Sequence, residues 1–315
     1  MEKILITGGS GTVGESFIEN NFDKYEIYSY SRNEKAQVAL KRKFPKVNII
    51  LGSVEDKYDL DNSLNKIKPR IIIHAAALKH VDTAEKQPIE LVKSNIIGSK
   101  NIIESAKANN VAITIGISTD KACEPNNLYG YSKKIMEKIF LEANNDKNIF
   151  CCTRFGNVAG SNGSVIPFWL NQKSNNESLT LTDAKMNRLM LSRSEVSEII
   201  EKCIEEGRNK NGGFILSKIM KNVVMKELAN CISTDIKIIG LRPGEELNED
   251  LISEKELDFT KVDGEFVFIE NQINKDKTKR LQKPLSSKNA KKMNFNELIS
   301  LINEVEINLK RDFYY

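Results

Sequence analysis

Between Ser118 and Lys133 the chain reads STDKACEPNNLYGYSK, and four of its side chains form two pairs whose spacing suits proton transfer. Tyr129 and Lys133 stand four residues apart, which puts them on one face of a helix with the ammonium near the phenol. A cation so close is expected to ease ionisation of a phenol whose reference pKa is ~10. The phenolate would then take the proton of a hydroxyl whose carbon gives up a hydride. Asp120 and Lys121 add an acid and an amine beside this pair, which points to a second step after oxidation. To act as proton donor and acceptor they must exchange their ordinary states. Reference values of ~3.9 and ~10.4 make that exchange cost about 6.5 units, or ~9 kcal/mol. Burial favours both neutral forms and offsets part of the cost, and the two would titrate as a unit.

Short apolar runs must carry these residues. Strands are expected at 3–7, 26–30, 48–51, 70–74, 111–117 and 149–155, alternating with helical patterns at 12–21, 34–43, 89–109 and 129–143. Such alternation of nearly continuous apolar strands with helices predicts an α/β fold of Rossmann type, a doubly wound parallel sheet. After Phe155 the rhythm breaks. A helix at 194–206, a returning strand at 213–216 and a terminal amphipathic helix near 295–309 are the clearest later elements. The expected division is 1–160 as a dinucleotide-binding unit, with a returning segment at about 190–218. A smaller interleaved α+β lobe is expected from 161–189 and 219–315.

The first strand runs into Gly8-Gly9-Ser10-Gly11-Thr12-Val13-Gly14, a glycine loop that opens a helix. Glycines at 8, 11 and 14 allow the tight turn and let a diphosphate approach the backbone N–H groups at the helix start. The second strand ends in Ser31-Arg32, with no acid before Glu34. A hydroxyl and a guanidinium suit a 2′-phosphate, so NADP is preferred to NAD. After the fourth strand, Ala75 and Ala76 leave room for the dinucleotide at the switch point, and Lys79 reaches towards a ribose or the substrate. His74 reads as a hydrogen-bonded core residue.

A formal charge of +4 is too small for a general grip on nucleic acid. The five cysteines fall in no metal-binding spacing and read as reduced thiols, Cys123 included. No apolar run approaches the ~18 residues of a membrane span, and no leader pattern is read. A cytoplasmic protein without a metal centre is expected.

Taken together, ILITGGSGTVG, YSRNE, HAAALKHV, STDKACEPNNLYGYSK, RFGNVAGSNGSVIPF, LTDAKMNRLML, LRPGEELNE and a late SSKN resemble the extended short-chain dehydrogenase/reductase superfamily. Within it the chain is most similar to the inverting UDP-N-acetylglucosamine 4,6-dehydratases. The resemblance implies a tightly bound NADP that is recycled within each turnover, a UDP-sugar substrate and a homo-oligomer. It implies catalysis by Thr119, Asp120, Lys121, Tyr129 and Lys133, with Ser53 and Val54 at the adenine. Substrate contacts would come from Lys79, Thr119, Asn157, Gly163, Ser164, Val165 and Glu245, with Arg188 and Arg242 on the diphosphate. Four positions depart from the family pattern: Val13 for phenylalanine, Ser53 for aspartate, Glu246 for lysine and Asn248 for histidine. The rival readings are a UDP-sugar 4-epimerase, against which the Asp-Lys pair argues, and a non-catalytic NADP-binding regulator.

Overall fold

The computed structural model describes residues 1–161, 163–241 and 244–313, the last three by backbone alone. Six parallel strands form the centre of one sheet: β1 (Glu2–Thr7), β2 (Tyr25–Ser31), β3 (Asn48–Leu51), β4 (Ile71–His74), β5 (Ile113–Ile117) and β6 (Ile149–Thr153). Ile4, Leu5, Ile6, Ile71, Ile72 and Ile73 are wholly buried, as strands covered on both faces require. The helices along this part of the chain are α1 (Thr12–Asn21), α2 (Glu34–Lys43), α3 (Lys57–Ile67), α4 (Val81–Lys86), α5 (Pro88–Leu91), α6 (Gly98–Ala108), α7 (Leu128–Ala143), α8 (Val165–Ser174) and α9 (Arg193–Arg208), of which α8 stands apart from the large sheet. Strand order runs β3-β2-β1-β4-β5-β6, so the chain reverses its direction of travel across the sheet between β1 and β4. That reversal opens a crevice at the carboxyl ends of the two strands.

The later chain builds smaller sheets and then rejoins the large one. β7 (Asn157–Val158), β8 (Leu179–Leu181) and β9 (Asn187–Leu191) precede β10 (Phe214–Lys218), which lies parallel to β6. β11 (Lys221–Val224), β12 (Ile236–Ile238) and β13 (Asp250–Ile252) follow, then β14 (Thr260–Asp263), β15 (Phe266–Glu270) and β16 (Leu285–Ser286). Helices α10 (Met225–Ile232) and α11 (Phe295–Phe313) pack with α8 around Trp169, Leu228 and Val305, a second core. The β14–β15 hairpin is a correction to the sequence reading, which assigned 219–315 to the smaller lobe. It adds antiparallel to β10 and lengthens the large sheet to nine strands. The expected 89–109 helix contains a π-type turn at Val92–Ile97, and α3 was not expected. Helices α4, α8 and α10 also went unread.

Helix α7 carries the catalytic candidates, and its start is set locally. The Asn127 side chain accepts the Gly130 N–H at 2.9 Å, a cap that brings Tyr129 into the first turn. Met136, Phe140 and Leu141 bury its inner face. Its middle is tied to the sheet by a buried ion pair. Arg154 Nε and Nη2 each donate to Glu137 at 2.8 Å, and Glu137 also accepts from Ser118 Oγ at 2.7 Å. Arg154 further reaches Glu256 at 2.8 and 3.0 Å.

Candidate active site

A cleft of roughly 680 Å³ runs along the carboxyl ends of β1, β2, β4 and β5. Gly8, Gly11, Thr12, Val13, Gly14, Ser31, Arg32, Ser53, Val54, Ala75 and Ala76 line one end. Lys79, Thr119, Lys121, Tyr129, Lys133, Asn157, Gly163 and Ser164 line the other. Gly8 has φ +67°, and a Cβ there would stand 2.8 Å from Ala76 N. A Cβ on Gly14 would come within 2.5 Å of Gly9 Cα. Only glycine lets β1, the loop and α1 approach so closely. Helix α1 has Gly11 at its N-cap and no side-chain cap hydrogen bond there, an arrangement that suits an anion at the helix start. The loop and the size of the cleft fit a dinucleotide.

Lys133 is buried, and its Nζ donates to Ile117 O, the last carbonyl of β5, at 2.7 Å. Burial pushes the Lys133 ammonium down to about 8. Tyr129 is buried too, and burial pushes its phenol up to about 12. The charge of Lys121 and a hydrogen bond with Thr119 pull the phenol back down, whereas Asp120 pushes it up. This corrects the expectation that Lys133 eases ionisation of Tyr129: burial outweighs it, and the cation felt at the phenol is Lys121. Thr119 links the two halves of the site, because its hydroxyl also donates to Asp120 Oδ1 at 2.8 Å.

Asp120 forms a single 3-10 turn with Lys121 and Ala122 and lies behind the cleft wall. Its Oδ1 also accepts the Lys121 N–H at 2.9 Å and Lys121 Nζ at 3.2 Å. Its Oδ2 is buried with no hydrogen-bond partner and faces Gly156, which lines the cleft. A second carboxylate, unforeseen from the sequence, completes the group: Glu249 Oε1 lies 3.2 Å from Lys121 Nζ. Burial alone would favour a neutral Lys121, but Asp120 and Glu249 outweigh it and hold the ammonium above the ordinary lysine value. Burial pushes the Glu249 carboxyl up.

Other candidates stand elsewhere. Arg188 is buried outside the cleft wall, with Nη1 donating to Asn187 O at 2.8 Å and Nη2 3.9 Å from Glu249. Val165 starts α8 beyond the wall, and half-buried Glu245 also lies outside it. Arg242 falls outside the described residues. Arg32 lines the cleft as expected, and its Nη1 donates to Glu55 Oε1 at 3.2 Å. Buried His74 bonds Thr7 Oγ1 at 2.8 Å and Ser99 Oγ at 3.1 Å, and burial drives its pKa down to about 3. It is the core histidine expected. Burial pushes the Cys123 thiol up, away from reactivity. Among the described residues no metal-ligating cluster occurs and no helix is long and apolar enough to cross a membrane.

A nucleotide cleft meeting a Tyr/Lys pair and an Asp/Lys pair defines an extended short-chain dehydrogenase/reductase architecture. Over residues 4–271 the chain matches, and belongs to, the family described as Polysaccharide biosynthesis protein. It is 36% identical over 264 residues to the UDP-N-acetylglucosamine 4,6-dehydratase (inverting) of Campylobacter jejuni, covering 80% of this chain and 78% of that one. It is also 36% identical over 273 residues to a Rickettsia bellii protein named UDP-glucose 4-epimerase, covering 81% and 78%. The X-ray structure of Pen from Bacillus thuringiensis superimposes with a TM-score of 0.88 at 27% identity, covering 97% of this chain and 98% of that one. The dTDP-glucose 4,6-dehydratase of Bacillus anthracis shares the fold, with a TM-score of 0.70 at 17% identity over 99% and 98% of the chains. The expected fold class and the resemblance to the inverting dehydratases are borne out.

Proposed function

We propose that this chain is a nucleotide-sugar 4,6-dehydratase, a hydro-lyase. It converts UDP-N-acetylglucosamine to a UDP-4-keto-6-deoxy-N-acetylhexosamine, with inversion at C5. The observation that carries this reading is that Lys121 lines the same cleft as Tyr129, while Asp120 hydrogen-bonds to Thr119 directly behind them. The Campylobacter relative's name supports the same chemistry.

When bound, the nicotinamide supplies a reversible hydride store, accepting hydride from C4 and giving it back at C6. Tyr129 takes the C4 hydroxyl proton. Thr119, bonded to both Tyr129 and Asp120, holds the phenol and the carboxylate in register. Beside the new C4 carbonyl the C5 proton is acidic, and Lys121, neutral once its own proton has passed to Asp120, removes it. The C5 electron pair forms the C5–C6 double bond as the C6–O bond breaks, and Asp120 protonates the departing oxygen so that it leaves as water. Asp120 Oδ2, free of other partners, is the oxygen available for that transfer. Return of the proton held by Tyr129 to C5 from the opposite face sets the inverted configuration and restores each group to its starting state.

NADP is the cofactor we assign, on the hydroxyl and guanidinium of Ser31 and Arg32 at the end of β2. Asn157, Gly163 and Ser164 continue the wall on which the sugar would lie. Arg188 and Arg242 remain our candidates for the diphosphate, Glu245 and Val165 for its surroundings. A cytoplasmic homo-oligomer completes the reading.

Incubation with UDP-N-acetylglucosamine and NADP, followed by mass spectrometry, tests it. Loss of one water per sugar is expected. The name of the Rickettsia relative favours a second reading, 4-epimerisation, and an isomer of unchanged mass would establish that instead.

A further inference from the structure

Lys121 cannot act as a base while two carboxylates hold it charged, so the role of the second carboxylate is central. Glu249 leads into β13 and is pinned from behind. Its N–H donates to Ser287 Oγ at 2.9 Å, and its carbonyl accepts the Ser287 N–H at 2.9 Å. Ser287 is fully buried and directly follows β16, the antiparallel partner of β13. The SSKN segment at 286–289 thereby acquires a role: it fixes the backbone that aims Glu249 at Lys121. Lys121 is the boundary residue of the site, lining both the cleft and a cavity of roughly 20 Å³ behind it, where Asp120 and Glu249 lie.

We infer that Glu249 is a positioning residue for Lys121, holding its flexible amine at the cleft wall and balancing its charge after it has taken a proton. The inference rests on the dehydratase reading for its role in turnover, though not for the contact itself. Charge balance supports it. Asp120 and Glu249 oppose Lys121 and Arg188, two negative groups against two positive. Moving one proton from Lys121 to Asp120 leaves Glu249 facing Arg188 at 3.9 Å, so no charge is stranded. The amine keeps an N–H pointed at Glu249, and its lone pair is left for the substrate. Without Glu249, Arg188 would face Lys121 uncompensated, and a lysine side chain with four rotatable bonds would lose one of its two anchors.

The groups that face Lys121 are Asp120 from its own turn, Glu249, Arg188 from β9 and Tyr129 from α7. Glu124, Glu246 and Asp250 ring the small cavity beyond. Glu249 raises the affinity of Lys121 for its proton, so removing it must lower the pH at which the amine becomes free.

The test is competitive acetylation of the full chain across a pH series, read at Lys121 by peptide mass spectrometry, with Lys218 as internal reference. In Glu249→Gln the Lys121 midpoint should move down by about one pH unit or more. In Glu249→Asp, which keeps the charge, it should return most of the way. Ser287→Ala should give a smaller shift of the same sign, and it carries the test should Glu249→Gln fail to fold. With UDP-N-acetylglucosamine in deuterated water, Glu249→Gln should lose about tenfold or more of C5 exchange while C4 oxidation persists. An unmoved Lys121 midpoint overturns the inference, and so does an equal loss of both steps. Absence of C5 exchange in the unaltered chain would instead sink the dehydratase reading, leaving acetylation to judge the contact.

Discussion

Lys133 Nζ donates to the backbone carbonyl of Ile117 at 2.7 Å, bolting helix α7 to the tip of β5. The amine that the Tyr/Lys spacing aims at a phenol is thus also a structural pin, with its charge buried. Burial lowers it to about 8, below its unfolded value near ~10.4, so the ammonium destabilises the fold below pH 8. Between those two values the unfolded chain binds the extra proton, and stability rises with pH. Lys133→Met removes that dependence. The stability of the unaltered chain relative to Lys133→Met should therefore improve by roughly 2–3 kcal/mol between pH 8 and pH 10.5, read by urea unfolding at each pH.

Tyr129→Phe should abolish C4 oxidation, a loss of about 10²–10⁴-fold. The absorbance of reduced nicotinamide on substrate addition reads this directly. With the phenol pushed up to about 12, phenolate becomes more abundant with each unit of pH, and C4 oxidation by the unaltered chain should quicken throughout the neutral range. A flat profile would remove Tyr129 from the first step.

Asp120→Asn keeps the shape of the side chain and takes away the acid. Reduced nicotinamide should still form slowly with substrate, but water loss should fall by about 10²-fold or more. Full dehydration in this variant would dismiss Asp120 as the donor to the departing oxygen.

Arg154 serves two acids at once, and breaking so buried a pair is expensive. Arg154→Met should lower stability by about 3–5 kcal/mol, because it strands Glu137 beside Ser118. Glu256 adds a pH signature. Burial would raise its carboxyl, but Arg154 overrides that and holds it at about 2. Its contribution is present above the unfolded value near ~4.3 and is lost as pH falls towards 2. Acid titration of stability should show this loss in the unaltered chain and not in Glu256→Gln.

The ion pair of Arg32 with Glu55 makes cofactor choice testable. Glu55→Gln should free the guanidinium and tighten NADP relative to NAD, whereas Arg32→Ser should erase any preference, both read by fluorescence titration. Equal affinities for the two dinucleotides in all three proteins would argue for NAD chemistry with Arg32 as a surface residue.

The glycine loop and the apolar strands were legible because each is a local signal: the loop needs small residues at 8, 11 and 14, and the strands need continuous burial. Helix α3 carried such a signal unread, with Leu60, Leu64 and Ile67 at helical spacing behind the Asp56 cap. The π-type turn at Val92–Ile97 has no comparable pattern, since one extra residue per turn leaves no mark on composition. Spacing put Tyr129 and Lys133 on one face, but it does not say where a long side chain ends, and Lys133 ends on Ile117. The partner of Lys121 was hidden for a different reason. Glu249 reaches it through the pairing of β13 with β16, a contact between segments far apart in the chain.

The clamp of Ser287 on Glu249 has a consequence for biosynthesis. A nascent polypeptide leaving the ribosome carries its tyrosine and its acid–amine pair long before it carries the serine that locks their counter-charge. The growing molecule can fold the tyrosine side of the cleft early, but the corner around the acid–amine pair closes only once the strand next to Ser287 has emerged.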